Sequence, residues 1–388
     1  MTPLPDFIPF ALPDIGDAES AAVVETLRSG WITTGPRAKL FETRFAESVG
    51  SKHCVAVNSC TAALHLALEA IGVKPGDEVI LPTMTFAATA EVVSYLGAVP
   101  ILVDVRAMDH NIDPAAVERA VTPRTRVIIP VHFAGVPCDM DEIAALARAR
   151  RISVVADAAH ALPCRYRSRN VGELADITCF SFYATKTMTT GEGGAATTDN
   201  AAWADRMRMM SLHGISRDAW KRYAADGSWY YEIIAPGYKY NLTDIAAALG
   251  LVQLQRAEEM LRRRRAIAAH FDEAFHRERA VELLSPAPDR SSAHHLYVLK
   301  LVPDALRIDR DRFIKELKAC GIGTSVHFIP LHMHPYYRDT FGYRPEQLPV
   351  AHDAYRRSVS LPLYSRMTNE QVMRVTGAVK SVLKEFAR

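Results

Sequence analysis

The sequence predicts an α/β protein in which a mostly parallel sheet, covered by helices, is followed by a smaller α+β domain. Through the first two-thirds of the chain, short apolar runs alternate with segments of helical pattern, as in parallel sheets buried on both faces. The pattern then changes, and 388 residues exceed what one typical core holds. We therefore expect a large domain over residues 1–254 and a small domain over residues 255–388.

The large domain is predicted from its alternating segments. Strands are expected at HCVAV, DEVILP, VPILVDV, TRVIIPVHF, ISVVADAAH and ITCFSFY. Helices are expected between them, at TAALHLALEAIG and FAATAEVVSYLG, which end at glycine, and at MDEIAALARARR, which has basic residues in its last turn. A long helical stretch over residues 243–275 is expected to form two joined helices.

The small domain is predicted from a different order of elements. Strands are expected at HLYVLKLV and at TSVHFIPL, residues 324–331. Helices are expected at DRDRFIKELKACGIG, which has a glycine stop, and at the C-terminal NEQVMRVTGAVKSVLKEFAR.

Charge and composition argue against several classes of partner. Lys and Arg number 46 and Asp and Glu 44, so a net charge of +2 predicts neither nucleic acid nor an anionic membrane as a partner. The run RRRR at residues 262–265 points in different directions around a helix, which favours a solvated face over a diphosphate or nucleic-acid patch. We find no apolar stretch long enough to span a bilayer and no signal-peptide pattern.

The cysteines and histidines do not predict a metal site. The six cysteines are scattered without a C-x-x-C pair, which argues against a zinc site or disulfide framework and fits a reducing cytoplasm. His327, His332 and His334 lie close together in the sequence, but no carboxylate stands at ligand spacing.

Polar side chains follow the predicted strands at the points where the strands end. Ligands bind outside the carboxyl ends of parallel strands, so these residues are the first candidates for a site. The turn NSCT (58–61) precedes a helix and offers backbone N–H groups to a phosphate, although an N-cap at Ser59 or Thr61 explains the same residues. Asp157 ends a purely apolar strand, where a helix cap or a buried ion pair is the alternative.

Three further residues extend this pattern. Ser181 follows the strand ITCF, and Lys186 stands in the next loop, where a surface lysine is the ordinary alternative. Phe86 belongs either to the core or to a ligand site. Together with the NSCT turn and Asp157, these residues suit one ligand that has a phosphate, a flat ring, a basic ring nitrogen and a carbonyl. Pyridoxal phosphate has all four, and a lysine forms a Schiff base with its aldehyde.

Six segments, in order, resemble the motifs of the DegT/StrS-type sugar-nucleotide aminotransferases. They are SGWITTGP, NSCTAALHLAL, GDEVILPTMTFAATA, VADAAHA, FSFYATKTMTTGEGG and GYKYNLTDIAAALGLVQL. The resemblance covers nearly the whole chain and implies a fold-type-I pyridoxal-phosphate-dependent transferase with a sheet of seven-stranded type. It implies that Lys186 forms the Schiff base, that Asp157 pairs with the pyridinium nitrogen and that Phe86 stacks on the ring. The phosphate ligands that it implies are Cys60, Thr61 and Ser181.

The resemblance also identifies residues where this chain departs from many relatives. His160 stands where many members have Gln or Glu, and it is expected either beside the phenolic oxygen of the cofactor or as a structural histidine. The segment GYKYNLTD usually reaches the cofactor phosphate from the other subunit, which implies a homodimer with a shared active site. Lys239 and Asn241 stand where many relatives have Asn and Arg, and either one is expected to make this contact. The residues expected to line the substrate site are Thr33, Thr34, Tyr183 and His327, with a turn as the alternative role of the two threonines.

The resemblance implies transfer of an amino group from an amino acid, glutamate, to a keto sugar on a nucleotide diphosphate, in amino-sugar synthesis for surface glycans or antibiotics. Some relatives that remove a sugar hydroxyl have histidine at the position of Lys186, so the lysine favours transamination. VADAAHA, GYKYNLTDIAAALG and IIPVHFAG together resemble members that act on C4 of UDP sugars, including those that form 4-amino-4-deoxy-L-arabinose. The alternatives are a lyase that acts only on amino acids and a regulator that binds cofactor or sugar without turnover.

Overall fold

A computed structural model describes residues 7–215 and 230–388 of the chain. Residues 1–6, where the sequence predicts no signal peptide, lie outside the described residues. In chain order the strands are β1 His53–Val57, β2 Glu78–Pro82, β3 Val99–Val103, β4 Thr125–Ile128, β5 Ser153–Asp157, β6 Arg165–Tyr166, β7 Arg169–Asn170, β8 Ile177–Ser181, β9 Gly194–Thr198, β10 Val281–Leu283, β11 Arg290–Ser291, β12 Tyr297–Leu301 and β13 Ser358–Leu361.

The helices alternate with the strands in the first part of the chain and dominate its end. They are α1 Asp17–Arg28, α2 Pro36–Val49, α3 Cys60–Ile71, α4 Ala88–Tyr95, α5 Pro114–Ala120, α6 Met140–Arg150, α7 Ala201–Met210, α8 Asp244–Phe275, α9 Arg310–Ala319, α10 Pro335–Phe341, α11 Pro349–Arg357 and α12 Asn369–Glu385. Among the described residues, no helix combines the length and the apolar character that crossing a bilayer requires.

A seven-stranded sheet forms the centre of the large domain, in the order β1–β9–β8–β5–β4–β2–β3. β9 runs antiparallel to both of its neighbours, and the other adjacent pairs are parallel. Val79 and Leu81 belong to one apolar cluster and Ile80, between them, to another, because successive side chains of a strand face opposite ways. Both faces are therefore buried, and the predicted α/β fold with a mostly parallel sheet is confirmed.

The local sequence determines where α3 begins, directly after β1. The Ser59 side chain accepts a hydrogen bond from the Ala62 N–H at 3.1 Å, which is a standard N-cap contact. The helix ends at Gly72, whose φ of 85° is one that glycine adopts without strain. The positive end of α3 therefore lies at the carboxyl edge of the sheet.

The C-terminal part has its own antiparallel sheet, β10–β12–β13, and its own core. Phe271 and Phe275 at the end of α8 pack there, and so does Ile8 from the N-terminal segment. The Ile8 N–H donates to the Gly321 carbonyl at 2.9 Å, and the Ile8 carbonyl accepts from the Gly323 N–H at 2.8 Å. These two bonds attach the start of the described chain to the C-terminal part.

The strand predicted at residues 324–331 is wrong. The described structure has only an isolated pairing there, between Ser325 and Ser360. The sheet position beside β12 is taken by β13, which the sequence analysis missed. The segment continues instead to a cavity that His327 and Phe328 line.

The expectation of two joined helices over residues 243–275 is also wrong. α8 runs without interruption from Asp244 to Phe275, because no proline stands in the stretch. Gly250 does not break the helix, and a Cβ there would lie 2.8 Å from the Phe41 ring. The domain boundary predicted at residues 254 and 255 falls inside α8 and stays a prediction.

The prediction of a solvated face for residues 262–265 is wrong for Arg264. Arg262 and Arg265 are exposed, but Arg264 is 3% exposed. Its Nη1 donates to the carbonyls of Leu363 at 2.9 Å and His294 at 3.3 Å. The side chains of four consecutive helical residues are distributed around the whole helix axis, so one of the four faces the interior.

Candidate active site

A cavity of 560 Å³, the cofactor cavity, opens where β1, β5 and β8 end. The sheet order brings these three strand ends to the same edge, as the sequence analysis expected. Most of the predicted site residues line this cavity: Cys60, Thr61, Phe86, Asp157, His160, Ser181, Tyr183, Lys186 and His327. The others are not part of its described lining: Thr33, Thr34, Lys239 and Asn241.

Asp157 is a buried carboxylate with two fixed hydrogen bonds. Its Oδ2 accepts from the Thr89 hydroxyl at 2.9 Å, and its Oδ1 accepts from the Ala159 N–H at 3.0 Å. Within residues 7–215 and 230–388, it forms no ion pair. Burial raises the pKa of Asp157, because the hydrogen bonds from Ala159 and Thr89 and the charge of Lys186 offset only part of the loss of solvation. This carboxylate is therefore suited to a positively charged group of a ligand.

Lys186 presents an amine to the same cavity. Its backbone N–H donates to the Tyr183 carbonyl at 2.9 Å, which fixes the loop after β8. Burial lowers the pKa of Lys186, although Asp157 and Cys60 oppose the shift. A lowered pKa increases the fraction of neutral amine, which is the nucleophilic form.

The start of α3 forms the polar end of the cavity. Ser59, Cys60 and Thr61 line it, with Ser181 beside them at the end of β8. Free backbone N–H groups and the helix dipole at this position suit a phosphate. Lys186 is the one Lys or Arg side chain in the described lining, so the helix start carries most of the attraction for an anion within this chain.

Three histidines also line the cavity, His160, His295 and His327, and one of them, His295, was not predicted. His160 stacks on Phe328 with ring centroids 5.8 Å apart. The Nδ1 of His327 lies 2.9 Å from the Ser360 hydroxyl, and its ring stacks on Phe10 at 5.3 Å.

Burial is the main cause that lowers the pKa of each of these three histidines, for His327 to about 4. All three are therefore neutral at neutral pH. Phe10 also lines the cavity and was not predicted, because no local pattern connects it to lining residues that lie far away in the sequence.

The remaining predicted residues form an outer row, which we define as Lys239, Asn241 and Thr34. The Lys239 Nζ donates to Asn241 Oδ1, and Asn241 Nδ2 donates to the Thr34 hydroxyl at 2.6 Å. The Thr34 hydroxyl in turn donates to the Leu242 carbonyl. Lys239 is exposed, and the Thr33 carbonyl accepts a hydrogen bond from the Asp244 N–H, as a turn residue does. Asn241 lines a separate cavity of 350 Å³.

The residues of the cofactor cavity fit pyridoxal phosphate. A buried carboxylate without a salt bridge within the described residues matches a protonated ring nitrogen, and a buried amine with a lowered pKa matches an aldehyde. The helix start matches a phosphate, and the Phe86 ring, which is 65% exposed, matches a flat heterocycle. Fold and cavity together thus define the class of pyridoxal-phosphate enzymes of fold type I.

Comparison with known proteins narrows this class. Residues 13–380 match the DegT/DnrJ/EryC1/StrS aminotransferase family, and the chain belongs to that family. MJ1066, an uncharacterized protein of Methanocaldococcus jannaschii, is 50% identical over 381 residues, which cover 98% of each chain. The spore coat polysaccharide biosynthesis protein SpsC of Bacillus subtilis is 49% identical over 381 residues, which cover 97% of each chain.

A solved structure agrees with the family match. Spr1654 of Streptococcus pneumoniae is described as a sugar aminotransferase and is 38% identical to this chain. Its structure in the pyridoxamine-phosphate (PMP) form matches with a TM-score of 0.92 and covers 97% of this chain and 99% of that chain. The same protein has been solved in a PLP form. The predicted enzyme class and cofactor are therefore confirmed: this chain is a sugar aminotransferase that depends on pyridoxal phosphate. Of the alternatives considered above, this favours the aminotransferase over the lyase and the regulator.

Proposed function

We propose that the protein transfers an amino group from glutamate to C4 of a keto sugar linked to a nucleotide diphosphate, with UDP as the favoured nucleotide. The observation that carries the transfer step is the position of Lys186 and Asp157 in one cavity beside the start of α3. Preference for C4 is supported by the three motifs that resemble C4-specific members, among them the one that contains His160.

Lys186 is the proton carrier of the proposed reaction. Bound pyridoxal phosphate supplies a carbonyl that carries the amino group and a ring that accepts electrons. The Lys186 Nζ removes the proton from the α carbon of the donor, and it later delivers a proton to the sugar carbon that receives the amine. Burial favours the neutral amine that the first of these steps needs.

The other residues of the cavity hold and orient the cofactor in this proposal. Asp157, held by Thr89 and Ala159, accepts the hydrogen bond of the ring N–H and keeps it protonated. The N–H groups of Cys60 and Thr61 and the Ser181 hydroxyl bind the phosphate. The Phe86 ring covers one face of the heterocycle and, with Tyr183 and His327 at the substrate side, excludes water.

We propose that a second copy of the chain completes the site, as a homodimer. The outer row supports this, because Lys239 is exposed and its row does not contribute to the described lining of the cavity in its own chain. The cofactor phosphate, held in one chain mainly by a helix start, gains a full positive charge if the Lys239 ammonium of a second copy reaches it. Thr33 and Thr34 are proposed to face the substrate across the same interface.

We also propose that the reaction takes place in the cytoplasm. All six cysteines are unpaired, which supports a reducing compartment. Four of them are buried at the core or beside the cavity: Cys54, Cys138, Cys164 and Cys179.

The sugar position is tested with matched substrates. Protein loaded with pyridoxamine phosphate is incubated with 3-keto and 4-keto sugars on UDP, dTDP and GDP, and the return of the aldehyde absorption is followed. NMR of the product then locates the new amine, which we expect at C4 of the UDP sugar. Efficient amination at C3 with none at C4 would contradict the position, while leaving the enzyme class intact.

A further inference from the structure

Two buried imidazoles stand side by side in the wall of the cofactor cavity. His160 and His295 both line it, and their ring centroids lie 4.3 Å apart. They are 7% and 6% exposed. A pair of polar rings so close to Lys186 and so deeply buried requires an explanation, since packing alone is served better by apolar side chains.

One turn, Phe133–Gly135, is hydrogen-bonded to the His295 segment and lies against the backbone of His160. The His295 N–H donates to the Ala134 carbonyl at 3.1 Å, and the Ala293 N–H donates to the Gly135 carbonyl at 2.9 Å. A Cβ at Gly135 would lie 2.8 Å from the His160 carbonyl oxygen, and the φ of this glycine is 93°. The short distance between the two rings is therefore set by the fold.

The hydrogen bonding of the two rings indicates where each carries its proton. The Nδ1 of both His160 and His295 is buried and has no partner within the described residues. A neutral imidazole has one N–H and one bare nitrogen, and a buried N–H without an acceptor is the rarer and more costly defect. The proton therefore belongs on Nε2 in both rings.

Both rings are also uncharged. Burial is the first cause that lowers the pKa of each, and Lys186 lowers it further whenever its amine is protonated. The buried guanidinium of Arg264 further lowers the pKa of His295. Because the Nδ1 edges are closed off, the two rings offer the cavity neutral N–H donors.

We propose that His160 and His295 together donate two hydrogen bonds to one negatively charged oxygen of a ligand in the cofactor cavity. Fixed neutral donors stabilise such an oxygen without losing a proton to it. They also add no positive charge beside Lys186, which must stay neutral to accept a proton. The oxygen is either the phenolic oxygen of the cofactor or a carboxylate oxygen of the amino-acid donor. This inference rests on the proposed position of the cofactor in the cavity.

Two substitutions separate the N–H group of His295 from its shape. His295→Phe keeps a ring of similar volume without a donor, and His295→Gln keeps an N–H near the position of Nε2 without the ring. The Kd of pyridoxal phosphate is measured by tryptophan fluorescence of the cofactor-free protein, and the KM of glutamate in the first half-reaction. We expect His295→Phe to raise one of these constants about tenfold and His295→Gln to stay within about threefold of wild type.

The matched control is His270→Phe, the same substitution on α8 at a histidine that contacts the Thr376 hydroxyl outside the cavity. A raised Kd with an unchanged KM assigns the oxygen to the cofactor, and the reverse result assigns it to the donor. Wild-type values of both constants in His295→Phe would overturn the proposal. Equal damage from Phe and Gln would overturn it as well.

A measurement on the unsubstituted protein covers the case in which a variant fails to fold. ¹⁵N NMR of cofactor-free protein labelled at histidine reports which ring nitrogen carries each proton, with His160→Gln and His295→Gln as aids to assignment. Protons on Nε2 of both rings agree with the proposal, and a proton on Nδ1 of either ring rejects it. No sugar enters any of these experiments, so an error in the proposed sugar substrate leaves their result unaffected.

Discussion

The wall of the cofactor cavity and the outer row differ in what holds their side chains. In the cavity, Asp157 and Lys186 follow neighbouring strands, and the order of the sheet brings them together within one chain. In the outer row, Lys239 and Asn241 are held by a series of side-chain hydrogen bonds that ends at Thr34. The first region is complete in the single chain, whereas the second presents a cation away from its own cavity. The site thus combines a half fixed by topology with a half that we propose to act across an interface.

We call the half fixed by topology the inner half and the half that contains the outer row the outer half. The most severe test of the inner half is Lys186→Ala. Because this change removes both the nucleophile and the proton carrier, we expect turnover to fall about 1,000-fold or more. Single-turnover absorbance measurements report the loss. In wild type, borohydride reduction and peptide mapping should place the pyridoxyl label on Lys186, and a label on another lysine would refute the assignment. Lys315→Ala, on α9, serves as the control.

Asp157→Asn should have the next largest effect, a loss of about 100-fold in turnover, because the ring nitrogen loses its anionic partner. The effect of this substitution on the free energy of unfolding of the cofactor-free protein should depend on pH. Burial raises the pKa of Asp157 in the cofactor-free protein, so its folded state holds a proton that its unfolded state releases. The stability of cofactor-free wild type relative to Asp157→Asn should therefore fall as pH rises above the ordinary carboxyl range.

Thermal unfolding of both cofactor-free proteins at about pH 5 and about pH 8 measures this difference. A wild type that gains stability over Asp157→Asn at the higher pH would contradict the described environment of the carboxylate. Asp205→Asn, at a largely exposed carboxylate on α7, is the control for the loss of a negative charge.

The outer half is tested by subunit mixing. The double variant Lys239→Ala/Asn241→Ala should lose about tenfold to 100-fold in turnover if its row reaches the phosphate of a second copy. Mixing it with inactive Lys186→Ala should restore about a quarter of wild-type activity, because half of the dimers are hybrids with one intact site each. Mixtures that stay as inactive as their separate components would remove the evidence for a shared site.

Thr34→Val should have the smallest effect, a loss of about threefold. The Thr34 hydroxyl contacts both Asn241 and the Leu242 carbonyl, so valine loosens the row without removing its charge. The expected change is a weaker affinity for cofactor with a smaller change in the turnover of the saturated enzyme. Thr43→Val, an exposed position on α2, is the control. An effect as large as that of the double variant would mean that Thr34 has a more direct role.

The sequence predicted the parts of the molecule that depend on local pattern. β1, β2, β5 and β8 are where the alternation of apolar runs indicated, and the strand-end residues Asp157 and Ser181 meet in one cavity because parallel strands share an edge. The parts that it missed depend on distant partners. β13 takes its place by pairing with β12, and the inward direction of Arg264 depends on carbonyls of segments that follow much later.

His295 shows the same limit at the level of one side chain. Its place in the sequence, at the start of HLYVLKLV, predicts only a residue beside a buried strand. Its partner His160 lies in the other part of the chain, and the turn that joins them, Phe133–Gly135, carries no recognisable motif. Pairing of this kind is a property of the folded chain, so it requires coordinates.

The bonds between Ile8 and the C-terminal part have a consequence for the order in which the enzyme is made. Phe10, just after Ile8, contacts His327, so one wall of the cavity joins residues from both ends of the chain. A ribosome releases the N-terminal end first, and Phe10 therefore cannot contact the His327 ring until residue 327 has been synthesised. The nascent large domain can form its sheet early, but this wall closes only when the last part of the chain emerges. This wall of the cavity is therefore completed later in synthesis than the sheet that carries Asp157 and Lys186.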